Sequence, residues 1–358
     1  MMNPDFWKDK KVLVTGHTGF KGSWLCLWLN MLGARVIGFS LDIPSAEGNF
    51  QQSRVEEILL ADIRGDIRDN QHLESVFREY QPEIVFHLAA QPIVLTSYDK
   101  PRYTYEVNVM GTLNVLECIR MSDSVRTAIM VTTDKVYENK ETLRGYVETD
   151  PYGGYDPYSS SKACDEILIS SYRNSFFSID RYDTHGKSIS SVRAGNVIGG
   201  GDWADNRLVP DCMRALEKKQ QILIRNRFAV RPWQHVLEPL SGYILLAEKM
   251  YHNPVKYSGG WNFGPNENGV WNVGKIAECI VKHYGYGEIV DYTSPSALHE
   301  AGKLCLNISK AETILGWKPV LDVDEAIAWT VEWYKQYKMI SARKICEKEI
   351  TEYMERIS

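Results

Sequence analysis

The stretch Lys11–Gly22, KVLVTGHTGFKG, decides the fold of this chain. Lys11–Thr15 is a short run of β-forming residues. It ends in glycines at 16, 19 and 22, and Ser23–Leu32 then continues with helical periodicity. A strand that runs through a tight glycine turn into a helix carries backbone N–H groups and a helix N-terminus to a diphosphate, and a Cβ in that turn would block the approach. The spacing predicts the opening unit of a dinucleotide-binding domain, with Gly16, Thr18, Gly19, Phe20 and Gly22 against the ligand.

The pattern repeats outward from this point. Arg35–Ser40 reads as the next strand, and a third precedes Asp66. Glu83–Ala89, Thr127–Thr132 and Ile189–Arg193 are further apolar runs, with a helical stretch around Tyr103–Arg120. Strands that alternate with helices imply βαβ units and a parallel sheet covered on both faces. Asp42 follows Gly22 by twenty residues, where an acid hydrogen-bonds a ribose 2′-hydroxyl. No Arg or Lys lies between Gly38 and Gly48 to receive a 2′-phosphate, so the expected cofactor is NAD. Asp66 and Ile67 are placed near the adenine, and Leu88, Ala89 and Ala90 near the nicotinamide side.

After about residue 195 the rhythm changes. Gly199–Asp202 is a loop, and Pro232, Pro239, Pro254 and Pro265 punctuate the chain beyond it. Helical patterns appear at Arg207–Lys218, Leu240–Met250, Val273–Tyr284 and Asp324–Tyr337. The expected fold class is α/β, a Rossmann-type doubly wound parallel sheet with a smaller C-terminal α/β substrate domain. Residues 1–195, with a return at about 233–262, form the NAD-binding part; 196–232 and 263–358 form the substrate part. Arg343–Ile357 is charged and reads as a solvated terminal helix.

Composition sets outer limits. With 358 residues the chain can bury large cores, and length alone suggests about two domains. Lys plus Arg total 41 and Asp plus Glu 46, a net charge of −5, which argues against nucleic acid or an anionic membrane as partner. Seven widely spaced cysteines without C-x-x-C fit a reducing compartment, so a cytoplasmic location is expected. No signal-peptide or membrane-spanning run is present, and Asn307-Ile-Ser309 is then a chance sequon. The eight histidines form no metal-binding spacing, and no metal site is predicted.

A second motif carries chemistry. In Asp156–Lys162, DPYSSSK, Asp156 reads as an N-cap and Pro157 as the first helical residue. Tyr158 and Lys162 are four apart and share one helix face. A nearby ammonium favours the phenolate form, which lets Tyr158 accept a hydroxyl proton.

TGHTGFKG, His87–Gln91 (HLAAQ), Asn108, Thr132–Tyr137 (TTDKVY) and Y-S-S-S-K together resemble the extended short-chain dehydrogenase/reductase family over nearly the whole chain. Arg193–Gly199, Arg231–Val236 (RPWQHV) and Asn262–Pro265 resemble its nucleotide-sugar branch. Thr133-Asp134-Lys135 with RPWQHV looks like the CDP-glucose 4,6-dehydratases of that branch. The resemblance implies an internal redox cycle: C4 oxidation, loss of water across C5–C6 and hydride return to C6. It would take CDP-glucose or another nucleotide sugar toward deoxysugars of the O-antigen type. Tyr158, Lys162 and Thr133 would act in the oxidation, with Asp134 as the acid for the departing C6 hydroxyl. Lys135 stands where relatives acting on dTDP-glucose carry Glu, so it is either the C5 base or an enolate stabiliser. Gln91, Asn196, Arg207 and Arg231 are the expected substrate ligands, the arginines for the diphosphate. His87 is as compatible with a core position as with the site. A homodimer or homotetramer is implied, paired through the helices around Tyr103–Arg120 and Tyr158–Asn174. The alternatives are a 4-epimerase, a dehydratase for another sugar nucleotide, or an NAD(H)-sensing regulator. An epimerase needs no elimination pair, and a regulator needs neither Tyr158 nor Lys162.

Overall fold

A computed structural model describes residues 3–141, 144–266, 269–292 and 304–358. Among these, the strands are β1 (Lys11–Thr15), β2 (Arg35–Ser40), β3 (Ala61–Arg64), β4 (Ile84–His87), β5 (Thr127–Val131) and β6 (Ser188–Ala194) in the first half. They are followed by β7 (Asn196–Ile198), β8 (Ile222–Ile224), β9 (Val230–His235), β10 (Gly259–Phe263), β11 (Val270–Asn272) and β12 (Ile289–Asp291). Seven of them form one sheet in the order β10-β6-β5-β4-β1-β2-β3. Every pairing in it is parallel. The chain winds outward from β1 to β2 and β3, then crosses to β4 on the other side, so the topological switch point lies between β1 and β4. Ligands of such sheets bind in the crevice at that point, beyond the carboxyl ends of the strands.

Alternation within the strands feeds two cores. Val12 and Val14 of β1 and Ile84 and Phe86 of β4 face one layer, and Leu13 and Val85 the other. The first layer is closed by the helices Phe20–Met31, Leu237–His252, Val323–Gln336 and Ala342–Arg356. The second is closed by Asn70–Tyr80, Gly111–Met121 and Pro157–Ser175. β10 enters the large sheet beside β6, while β11-β9-β7 and β12-β8 form two small sheets. β9 pairs in parallel with β7 and antiparallel with β11, which sets Arg231 and Asn196 on neighbouring strands.

Three local expectations are corrected. The helix after β1 begins at Phe20 rather than Ser23, because Gly19 is extended (ψ 171°) and acts as N-cap. The helical stretch around Tyr103–Arg120 is interrupted by a π-helical turn at Glu106–Met110. There Asn108 is drawn into the interior: its Oδ1 accepts from the Gln91 N–H (2.8 Å), and its Nδ2 donates to Ser161 Oγ (2.8 Å). The terminal helix, Ala342–Arg356, is not solvated all round. It buries Ile345, Cys346, Ile350 and Tyr353 on the side that packs on the helix Phe20–Met31, since its apolar residues fall at helical spacing among the charges.

Candidate active site

One cleft of about 2120 Å³ lies along the carboxyl edge of the large sheet. That is more than one ordinary ligand fills. It has room for a dinucleotide and a second nucleotide side by side.

The glycine turn forms its floor on the β1 side. Gly16 has φ +74°, and a Cβ there would lie 2.7 Å from the Ala89 nitrogen. A Cβ on Gly22 would lie 2.2 Å from the Gly16 carbonyl oxygen. The two glycines thus let the turn fold onto itself and against the end of β4, while Gly19 opens the helix. The N–H groups of Phe20 and Lys21 stand in the first helical turn, where orphan donors and the helix dipole attract a diphosphate. Thr18 bonds to Ser40 at 2.8 Å, and His17 tucks beneath β2 with Nε2 2.7 Å from Asp62 Oδ1. Gly16, Thr18, Gly19, Phe20, Gly22, Asp42, Asp66, Ile67, Leu88, Ala89 and Ala90 all line the cleft. The Asp66 carboxylate is engaged by Arg68 at 2.6 Å. These residues fit NAD: the cradle is one a Cβ would fill, and an acid rather than a cation lies past β2.

The helix Pro157–Ser175 supplies the opposite wall. Asp156 caps it by accepting from the Ser159 N–H (2.9 Å), with Pro157 at its first position. Tyr158 and Lys162 are buried side chains that line the cleft. Lys162 Nζ donates to Asp165 Oδ2 at 2.9 Å and to the Val131 carbonyl at 3.4 Å, leaving one N–H. At the end of β5 the chain turns through Thr133 into a short 3₁₀ turn, Asp134–Val136. Asp134 Oδ1 accepts from Thr133 Oγ1 (3.0 Å) and from Lys135 Nζ (3.2 Å). Its Oδ2 is fully buried with no hydrogen-bond partner among the described residues. Thr133 and Lys135 line the cleft; Asp134 lies just behind them.

The remaining polar wall is cationic. Asn196, Arg207 and Arg231 all border the cleft. The Asn196 amide oxygen is buried and has no partner among the described residues, and Arg207 is anchored by Asp202 at 2.9 Å. Lys21, from the glycine turn itself, joins this group. Burial, with Arg207 close by, pushes its ammonium down to about 8. Lys21 and Asp202 are site residues that sequence reasoning misses; the signal for Lys21 is an isolated charge inside a diphosphate turn.

One expectation is not met, and one alternative is resolved. Gln91 does not line the cleft: its side chain donates to Thr104 Oγ1 (2.9 Å) and accepts from the Ile93 N–H (2.7 Å). It is a brace for the loop after β4, not a substrate ligand. His87 is a core residue, held between Thr15 Oγ1 (2.7 Å) and Thr112 Oγ1 (3.0 Å). Burial and the Lys162 charge push it down to about 3, so it is neutral. Away from the cleft, Cys279, His283 and Asp324 bring one sulfur, one nitrogen and one oxygen within 4.8 Å. Asp324 there already pairs with Lys282. Among the described residues no helix is long and apolar enough to cross a membrane.

Comparison with known proteins agrees with this geometry. The family model described as GDP-mannose 4,6 dehydratase matches residues 13–330. A CDP-glucose 4,6-dehydratase of Salmonella typhimurium is 47% identical over 355 residues, 99% of each chain. A dTDP-glucose 4,6-dehydratase of the same organism is 26% identical, covering 90% of this chain and 92% of its own. Among solved structures, the UDP-glucose 4-epimerase of Thermus thermophilus in complex with NAD superposes with a TM-score of 0.76. It is 25% identical and covers 91% of this chain and 99% of its own. The dTDP-glucose 4,6-dehydratase of Bacillus anthracis in complex with NAD has the same fold, with a TM-score of 0.76 at 21% identity, over 93% and 99% of the two chains.

Proposed function

The chain belongs to the GDP-mannose 4,6 dehydratase family, and from that premise we propose that it is an NAD-dependent hydro-lyase that converts CDP-glucose to CDP-4-keto-6-deoxyglucose. The observation that carries the choice of reaction is the Asp134-Lys135 pair at the end of β5, beside the Tyr158–Lys162 helix. A 4-epimerase, the competing activity on this fold, needs no acid and base for elimination.

The glycine turn and Asp42 would hold NAD, which would supply the hydride acceptor for C4 and the hydride donor for C6. Tyr158 accepts the proton of the C4 hydroxyl, and Thr133 hydrogen-bonds the same oxygen. Lys162 keeps one N–H for a ribose hydroxyl while its charge favours the phenolate. A 4-keto group acidifies the C5 proton, and Lys135 receives that proton or holds the enolate. Asp134 gives a proton to the departing C6 hydroxyl. Arg231, Arg207 and Asn196 take the diphosphate. Such a product leads to deoxysugars of the O-antigen type.

Two finer readings accompany the function. The enzyme works as a homodimer or homotetramer, and the support is Met110 and Ile167, exposed apolar residues on two neighbouring helices. It works in the reducing cytoplasm.

The test is product analysis by NMR after incubation with CDP-, dTDP-, GDP- and UDP-glucose. Loss of one water, with CDP-glucose preferred, supports the proposal; a C4 epimer that retains the water overturns it. In solvent deuterium oxide, Lys135→Ala should slow C5 exchange while leaving C4 oxidation intact. Unchanged exchange removes Lys135 as the base. Tyr158→Phe should suppress the oxidation itself.

A further inference from the structure

One buried acid touches the oxidation machinery without belonging to it. Asp165 lies one helical turn beyond Lys162 and is 1% exposed, against 2% for Lys162 itself. Its Oδ2 is 2.9 Å from Lys162 Nζ. Burial pushes the carboxyl up to about 6 even with Lys162 beside it. A buried ion pair of this kind is a weak source of stability, and an apolar residue would pack the helix at lower cost.

The surroundings give the pair a definite electrostatic setting. On its own helix Asp165 faces Lys162, and Glu166 is close by. Glu166 is turned away, its carboxylate taken by Arg193 of β6 at 2.7 Å. From β5 comes the Val131 carbonyl, and from β4 comes His87, neutral at working pH. From the helix Gly111–Met121 comes the Thr112 hydroxyl, which favours the ionised carboxylate. The hydrogen bonds fix its direction. Thr15 Oγ1 accepts from the Leu88 and Ala89 N–H groups, so it donates to His87 Nδ1. His87 then carries its proton on Nε2 and gives it to Thr112. Among the described residues, Asp165 is the one anion bonded to the Lys162 ammonium.

We propose that Asp165 is a positioning residue for the oxidation step: its carboxylate fixes the Lys162 ammonium at the end of β5 and partly neutralises it, which sets how strongly that ammonium favours the phenolate at Tyr158. The inference rests on the reading of Tyr158 and Lys162 as the oxidation pair.

The experiment follows the first half-reaction in the holoenzyme, as absorbance of reduced nicotinamide after rapid mixing with CDP-glucose, across a pH series. Asp165→Asn removes the counter-charge, so the ammonium acts at full strength on Tyr158 and itself deprotonates more easily. The limb set by Tyr158 should move to lower pH by about one unit, the effect of one charge at about 10 Å in an effective dielectric of about 20, and the limb set by Lys162, whose Nζ lies 2.9 Å from the lost charge, should move further in the same direction. Asp165→Glu should restore the limbs. Asp165→Ser provides the same test if the Asn variant does not fold. Limbs that stay in place while the rate falls uniformly overturn the proposal and leave Asp165 a packing residue. Tyr158→Phe run alongside separates the two levels: if it oxidises substrate at the wild-type rate, the site assignment itself fails.

Discussion

Replacing Glu166 by Gln should be among the most damaging single-atom changes available in this chain. Glu166 projects from the catalytic helix onto the sheet and is 2% exposed. Its Oε1 accepts from Arg193 Nε at 2.7 Å and Thr132 Oγ1 at 2.5 Å; its Oε2 accepts from Arg193 Nη2 at 2.8 Å and Ser191 Oγ at 2.7 Å. Gln keeps one acceptor and turns an NH₂ group toward donors. Arg193, 1% exposed, is left as a buried cation held by one amide oxygen, the Tyr137 and Tyr152 hydroxyls and the Glu148 carbonyl in place of a carboxylate. Breaking a buried pair on one side costs about 3–5 kcal/mol. The two tyrosine contacts argue for the lower end, about 3 kcal/mol, against a total stability of about 5–15 kcal/mol. Urea unfolding of the wild type, Glu166→Gln, Arg193→Met and the Glu166→Gln/Arg193→Met double variant measures it. The double variant should lose less than either single one, because no charge is stranded. A Gln variant within about 1 kcal/mol of wild type, or a double variant whose loss is the sum of the singles, refutes the reasoning. The pH dependence adds a sign. Burial opposes the Glu166 charge, but Arg193, Thr132 and Ser191 outweigh it and hold the carboxyl below its ordinary range. Its contribution is therefore present above pH 4.5 and fades as the pH falls through the folded value, so the gap between wild type and variant should close on acidification.

Gly16→Ala should weaken NAD binding at least about tenfold, since a left-handed residue with a Cβ costs about 1–2 kcal/mol and the Leu88–Ala89 backbone must also move. Gly33→Ala, equally left-handed at φ +86° but outside the cleft, should lower stability and leave NAD affinity in a calorimetric titration unchanged. Burial pushes Glu238 up to about 7 although Tyr353 and the Leu321 and Val320 N–H groups favour its charged form. A raised acid binds its proton in the folded state, so its stabilising contribution is complete below pH 4.5 and is lost as the pH rises through 7. Glu238→Gln should remove that slope from a plot of unfolding free energy against pH, up to about 3 kcal/mol across the window.

The large sheet was legible because parallel strands buried on both faces leave unbroken apolar runs such as VLV and IVF, and glycines at a strand–helix junction have one economical use. The tyrosine–lysine pair was legible because four residues make one helical turn. Pattern fails where long-range contacts decide. Gln91 sits in a motif that suggests a ligand, yet Thr104 and Asn108, thirteen and seventeen residues away, claim its amide and backbone. Asp165 and Glu166 are adjacent acids on an otherwise ordinary helix, and only the sheet beneath reveals that each meets a different cation. Lys21 reads as a spacer between Phe20 and Gly22 until β7 and the loop beyond it bring Asp202 and Arg207 to the same cleft.

The helix Ala342–Arg356 has a consequence for how the protein is made. It packs on the helix that begins at Phe20, with Cys346 Sγ bonded to Asn49 at 3.2 Å and Arg343 to the Ser53 carbonyl at 2.8 Å. During synthesis, more than three hundred residues must therefore emerge before the back of the dinucleotide turn is covered. Until then Trp28, which meets the Tyr353 ring edge-on at 5.6 Å, has no outer partner from that helix. The nascent chain makes its cofactor turn more than three hundred residues before the helix that seals it. A ribosome paused near residue 340 would hold an enzyme with every proposed site residue translated and an apolar flank still open to chaperones.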